Sequence, residues 1–309
     1  MKIGFIGLGL MGSSMALNAR AGGHELTVHD LRREAAAPHL AAGAKWADTP
    51  RLAAEGAEVV FTSLPGPREV ESVALSEAGL LAGMRSGTAW FDLTTNSPSL
   101  IRRLHETFTA RGIHLLDAPV SGGPVGAKTR KLALWVGGDR AVFDRHKPVL
   151  DAIGDQAMYV GPIGAGSVAK LVHNCAGYAI QAALAEVFTL GVKGGVDPLA
   201  LWNAVRQGAL GRRRTFDRLA DQFLPGSYEP PQFTLRLAHK DMTLATELGR
   251  ELGVPMRVAN LALAEMTEAL NRGWSERDSR VSMLLQNERA GVEISVPKDK
   301  IREALERDR

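Results

Sequence analysis

Short apolar runs alternate with amphipathic stretches through the first half of the chain, whereas the second half carries helical periodicity alone. Lys2–Ile6 reads as a strand, Gly7-Leu8-Gly9-Leu10-Met11-Gly12 as a turn, and the stretch through Ala16, Leu17 and Ala19 as a helix stopped by Gly22-Gly23. Glu25–Asp30 supplies a second strand, ending in an acid. Ala57–Leu64, Thr88–Leu93 and Gly112–Leu116 continue the series, and Lys131–Gly137 and Ala157–Val160 complete it. Strands separated by helices predict an α/β domain with a mostly parallel sheet, and such sheets gather ligands at the C-terminal ends of their strands.

From Ala165 the strand signal stops. A helix of apolar and small residues runs to about Val192, roughly 40 Å at 1.5 Å per residue, and breaks at Lys193-Gly194-Gly195. Asp197-Pro198 supplies an N-cap and first-turn proline for a helix through Val205. Leu235–Leu252, Met256–Asn271 and Ser275–Arg289 read as further helices, and the charged tail Gly291–Arg309 as mobile. The expected organisation is two domains, an α/β domain over 1–162 and an all-α domain over 163–309, joined by the long helix.

Composition narrows the function classes. With 309 residues, 45% of them hydrophobic, the chain can bury a proper core. A net charge of only +3, spread evenly, is no nucleic-acid footprint, and it leaves small anionic ligands open. Cys175 is the single cysteine, so no internal disulfide forms, which fits a cytoplasmic protein. Neither a signal peptide nor an apolar run of about 20 residues is visible, so no membrane association is expected. No metal-ligand pattern is assigned.

The turn over Gly7–Gly12 carries the first candidate chemistry. Set between a strand and a helix, a G-x-G-x-x-G run lets Gly7 make the tight turn, Gly9 admit a pyrophosphate and Gly12 pack the helix closely, with Asp30 on the adenosine ribose. A carboxylate there repels a 2′-phosphate and favours NAD; Arg32 and Arg33 partly offset it, leaving NADP as the alternative. Ser121-Gly122-Gly123, just past a strand end, offers a hydroxyl and unhindered N–H groups for a carboxylate; its plain alternative is a flexible turn. Lys170, His173 and Asn174 stand three and four apart on one face of the long helix, with Gly177, Tyr178 and Gln181 further along it, while Leu171, Val172, Ala179, Leu184 and Val187 are expected to give apolar cover. Desolvation lowers a lysine pKa, so Lys170 suits a general acid or base; a surface lysine beside a core histidine is the plain alternative.

Four motifs in order, Gly4 to Gly12, Asp117-Ala-Pro-Val-Ser121-Gly122-Gly123, Gly164-Ala-Gly166 leading to Lys170 and Asn174, and Lys240-Asp241, make the chain resemble the β-hydroxyacid dehydrogenases, relatives of 6-phosphogluconate dehydrogenase. The resemblance implies a Rossmann-type N-terminal domain and an all-α C-terminal domain that often builds a homodimer or homotetramer. It implies hydride transfer between NAD(P) and a small anionic 3-hydroxyacid or its semialdehyde, with Lys170 as the acid/base. Ser121, Gly122, Gly123, His173 and Asn174 would hold substrate, and Gly7 to Gly12, with Leu8, Leu10 and Met11 between the glycines, together with Asp30, Leu64, Pro65, Thr95 and Lys240, would hold the cofactor. A Lys240 charge close to Lys170 would depress its pKa further. Arg130 departs from the family's usual glycine, and His173 resembles the phosphogluconate branch. Arg212, Arg213 and Arg214 form a basic connection that reads as solvated or as a grip on a second anionic group. Imine reductases share this architecture but typically lack the lysine, and a non-catalytic dinucleotide-binding regulatory module is the alternative outside enzymes.

Overall fold

The computed structural model describes residues 1–208, 216–253 and 256–306, and the chain divides into two compact units, Met1–Val172 and His173–Arg309. The first unit is organised on one sheet of nine strands among the described residues: β1 (Lys2–Ile6), β2 (Glu25–His29), β3 (Lys45–Trp46), β4 (Val59–Thr62), β5 (Ala89–Asp92), β6 (His114–Asp117), β7 (Val120–Ser121), β8 (Ala133–Gly137) and β9 (Gln156–Gly161). Their order is β3-β2-β1-β4-β5-β6-β8-β7, with β9 against β8. Pairing is parallel from β3 to β6 and between β8 and β9; β8 runs antiparallel to β6 and β7. The mostly parallel sheet expected from the alternation is present.

Every residue of β4 and β5 is buried, as a parallel strand requires when helices cover both faces. The strand period of two then divides the core. Phe5, Phe61, Phe91 and Leu116 enter one apolar cluster, and Ile6, Val60, Trp90 and Leu115 the other. The helix Gly12–Ala21 buries Met15, Ala16 and Ala19 on the first face, and Pro98–Thr109 buries Leu100, Leu104 and Phe108 on the second.

Helices make up the second unit. The long helix Ala165–Lys193 starts in the first unit and runs into the second. Of its expected apolar cover, Leu171 and Leu184 are buried but Val172 is 63% exposed. Helices Pro198–Gln207, Leu235–Glu251 and Arg257–Asn271 follow the expected spans. Two expectations are corrected. Ser275–Arg289 is not one helix, because Asp278 caps a 3₁₀ turn, Ser279–Met283, before a helix at Leu284–Ala290. The Asp278 carboxylate also accepts the N–H groups of Gln232 and Phe233, fixing the chain there. The tail is anchored over its described part: Lys298–Glu306 is a helix, and Ile294, Val296, Ile301 and Ala304 lie in the apolar core beside Phe188, Trp202 and Phe223. Arg212, Arg213 and Arg214 lie outside the described residues.

Candidate active site

The glycine turn joins β1 to the helix Gly12–Ala21. Gly7 has φ +93°, and a Cβ on it would stand 2.2 Å from the Ser63 carbonyl oxygen; one on Gly12 would stand 2.0 Å from the Gly7 carbonyl oxygen. Both glycines are therefore required by the fold itself. Gly9 differs, because no protein atom lies within 4 Å of where its Cβ would be. The open space stands at a helix N-terminus whose first N–H groups lack intrahelical partners, which is where a diphosphate fits. Leu8 is buried, whereas Leu10 is 70% exposed at the rim. We expect Gly12→Ala to destabilise the fold by several kcal/mol, and Gly9→Ala to leave stability within about 0.5 kcal/mol while weakening NADH binding at least tenfold. Urea unfolding and a fluorescence titration separate the two.

Asp30 closes β2 and binds back onto this turn. Its Oδ2 accepts from the Leu8 N–H at 2.7 Å and its Oδ1 from the Arg32 N–H at 2.9 Å, with the Arg32 Nε 4.0 Å away. The carboxylate retains lone pairs for ribose hydroxyls. Arg33 lies over the Trp46 ring and 3.9 Å from Asp48.

The ends of β4 and β5 are locked together by Asp92, a fully buried carboxylate that the sequence marked only as part of a strand end. It accepts from the Thr62 hydroxyl, the Thr94 N–H and the Asn96 amide, and Thr94 Oγ1 in turn accepts from the Leu64 N–H at 3.1 Å. Burial pushes the Asp92 carboxyl above its ordinary range, and these donors pull it back. The expected cofactor contacts Leu64, Pro65 and Thr95 thus stand on a rigid strand-end network, with Pro65 exposed and Thr95 half-buried.

Past β6, Ser121 ends β7, paired to Ala133 of β8. Gly122 and Gly123 adopt φ +138° and +64°, a region that favours glycine, and a Cβ on Gly122 would meet the Lys131 carbonyl oxygen at 2.7 Å. Around Gly123 nothing lies within 4 Å. That open space lies beside the Ser121 hydroxyl position where the sequence placed an anion loop. Arg130, at the end of the helix Gly123–Thr129, takes the left-handed φ of 60° that glycine would take freely.

Asp117, at the end of β6, holds the start of the long helix. Its Oδ1 accepts from the Gly164 N–H at 2.7 Å and its Oδ2 from the Ser167 N–H at 2.5 Å. Close approach depends on missing side chains: a Cβ on Gly166 would stand 2.2 Å from the Trp135 carbonyl oxygen, and one on Gly137 would stand 2.5 Å from Asp117 Oδ1. This is the physical meaning of the Gly164-Ala-Gly166 motif. Lys170 follows Ser167 by three residues and is half-buried, so it stands about one turn beyond the anchored end.

In the second unit Asn174 donates from Nδ2 to Asp241 Oδ2, and Lys240 Nζ lies 2.9 Å from Asp241 Oδ1. Asp241 is 1% exposed. His173 is exposed, with its Nδ1 3.1 Å from Asn174 Oδ1. The first unit therefore gathers Gly7 to Gly12, Asp30, Leu64, Pro65 and Thr95 at neighbouring strand ends, and holds Ser121, Gly122, Gly123 and Lys170. The second holds His173, Asn174 and Lys240. Asp117 and Asp241 were visible in the sequence only as motif letters. Among the described residues no three His, Cys, Asp or Glu side chains are grouped to hold a metal ion, and no helix is long and apolar enough to cross a membrane.

Known proteins resemble this chain along nearly its whole length. Residues 2–161 match the NAD binding domain of 6-phosphogluconate dehydrogenase, and residues 164–285 match the NAD-binding family of NADP-dependent 3-hydroxyisobutyrate dehydrogenase. The chain is 33% identical over 295 residues to 2-(hydroxymethyl)glutarate dehydrogenase of Eubacterium barkeri, covering 96% of this chain and 98% of that protein. It is 38% identical over 248 residues to 3-hydroxyisobutyrate dehydrogenase of Pseudomonas aeruginosa, covering 79% and 83%. The crystal structure of 3-hydroxyisobutyrate dehydrogenase from Salmonella typhimurium superposes with a TM-score of 0.80 at 29% identity, over 92% of this chain and 99% of that one. A glycine turn with room for a diphosphate, a Ser-Gly-Gly loop and a lysine-bearing helix, in a chain matched along nearly its whole length, identify it: the protein belongs to the β-hydroxyacid dehydrogenase family.

Proposed function

We propose that in this NAD(P)-dependent hydroxyacid oxidoreductase Lys170 is the general acid/base for a small 3-hydroxyacid or its semialdehyde. The observation that carries the reading lies in the first unit. Half-buried Lys170 stands about one turn beyond Ser167, whose N–H is fixed by Asp117, and Asp117 ends the strand leading to Ser121, Gly122 and Gly123. A lysine tied to the same strand end as an anion loop suits the hydroxyl and the carboxylate of one short substrate.

The Ser121 hydroxyl and the N–H groups of Gly122 and Gly123 hold the carboxylate, and Asn174 orients the hydroxyl. Lys170 takes the hydroxyl proton at Nζ in oxidation and returns it to the nascent alkoxide in reduction. The nicotinamide, when bound, accepts or supplies the hydride. N–H groups after Gly9 would hold its diphosphate, and Asp30 would accept from the ribose hydroxyls. A 2′-phosphate would face the Asp30 carboxylate at a cost of about 1 kcal/mol or more, so NAD is preferred over NADP. The reading includes a cytoplasmic homodimer or homotetramer.

The test is a panel of 3-hydroxyacids, among them 3-hydroxyisobutyrate, 2-(hydroxymethyl)glutarate and L-serine, with the matching semialdehydes, followed by nicotinamide absorbance with each cofactor. We expect turnover with at least one acid, and kcat/KM with NAD about tenfold or more above that with NADP. NADH binding without turnover on any member would overturn the reading and favour the regulatory module.

A further inference from the structure

The geometry points to Asp241 as the positioning residue that fixes both Asn174 and Lys240. The inference deepens the proposed function, resting on its reading of these two side chains as ligand-facing. An ionised carboxylate only accepts hydrogen bonds, so the amide end that Asn174 turns toward it is the NH₂ group, whatever else is bound nearby. The carbonyl oxygen is then turned away, where the His173 Nδ1 lies 3.1 Å off and, facing an acceptor, carries the ring proton. An amide whose two ends differ only in O and NH₂ is otherwise free to flip. With Nδ2 held, its second N–H and its carbonyl oxygen meet a ligand in one fixed order.

The other carboxylate oxygen holds Lys240 at 2.9 Å. Two side chains 66 residues apart in sequence, one assigned to substrate and one to cofactor, are thus fixed by one group that is itself 1% exposed. Tyr178, one turn beyond Asn174, lies near enough for the Asp241 charge to help push its hydroxyl well above the ordinary range, after burial as the larger cause. Asp278 raises it as well, and Arg280 and Arg218 oppose the rise. Asp241 needs no contact with ligand to act, because it works through the orientation of its two partners.

A double-mutant cycle separates this from a merely structural role. Wild type, Asn174→Ala, Asp241→Ala and the double variant are compared for kcat/KM on the best hydroxyacid and for NADH affinity. If Asp241 acts through Asn174, Asp241→Ala loses at least about tenfold in kcat/KM, and the double variant stays within about threefold of Asn174→Ala. Multiplying losses would overturn the inference. Asp241→Asn, of the same shape, keeps an acceptor for Asn174 but turns an NH₂ group toward the Lys240 ammonium. It should recover kcat/KM while NADH affinity stays reduced, and recovery of both or of neither would count against two-way positioning. In ligand-free protein, one of the two ¹⁵N-attached side-chain protons of Asn174 should carry a shift from its bond to Asp241 that is lost in Asp241→Ala; an unchanged pair of shifts would also overturn the inference. That readout does not depend on whether Lys170 is the acid/base, so loss of turnover across the panel and loss of this coupling are distinct outcomes.

Discussion

Lys170→Ala lowers turnover by about 10²- to 10⁴-fold, the usual worth of positioned general acid–base help, and leaves NADH affinity within about threefold of wild type. The expectation follows from where the residue stands: half-buried, about one turn past the Asp117 anchor, and remote in sequence from the glycine turn. On the proposed reading, removing the amine takes away the proton acceptor, while the N–H groups and Asp30 assigned to the cofactor are untouched. Lys170→Arg separates proton transfer from charge. A guanidinium keeps the positive charge but does not release its proton in the working range, so arginine should rescue little if Lys170 transfers a proton, and much if it only balances charge. Added small amines should restore part of the activity of the alanine variant. Turnover of Lys170→Ala within about twofold of wild type would remove the mechanism.

The second large effect is expected at Asp117. Asp117→Ala leaves the N–H groups of Gly164 and Ser167 without their acceptor, at about 1–3 kcal/mol each when buried, and its urea midpoint should fall accordingly. The carboxyl is pushed up from 3.8 to about 6 by burial, against the pull of the Ser167 and Gly164 N–H groups. The folded chain therefore binds this proton more tightly than the unfolded chain does. The sign follows: this contribution to stability is full below about pH 4 and is lost as pH rises through about 6. Over that window it amounts to about 3 kcal/mol. Asp117→Asn does not titrate, so its stability between pH 4 and pH 7 should fall less than that of wild type. Parallel stability–pH curves for the two proteins would contradict the assignment. Because Lys170 is on the helix held by Asp117, kcat of the alanine variant should fall along with its stability.

The sheet and the glycine turn were legible because their signals are local. A strand shows its period within five residues, and the glycine spacing from Gly7 to Gly12 is itself a local pattern, although the carbonyl that bars a side chain at Gly7 belongs to distant Ser63. The face shared by Lys170 and Asn174 was legible for the same reason, since the helix period alone creates it. The carboxylates that hold this machinery were not. Asp117 meets Gly164 and Ser167 from 47 and 50 residues away, and Asp241 meets Asn174 from 67; no window of periodicity reaches that far. The break at Asp278 was hidden in the same way, by partners at Gln232 and Phe233. The tail misled for a different reason, because Ile301 and Ala304 are too few among charges to reveal that Lys298–Glu306 has a core-facing side.

Cys175 follows Asn174 on the long helix and is the chain's single thiol, 9% exposed, with its pKa raised by burial. Its reaction with a disulfide reagent is therefore slow while the helix stays packed and quickens when that segment opens. The protein thus contains, in its one native thiol, a gauge of local opening beside the residues proposed to meet substrate, one that needs no engineered cysteine.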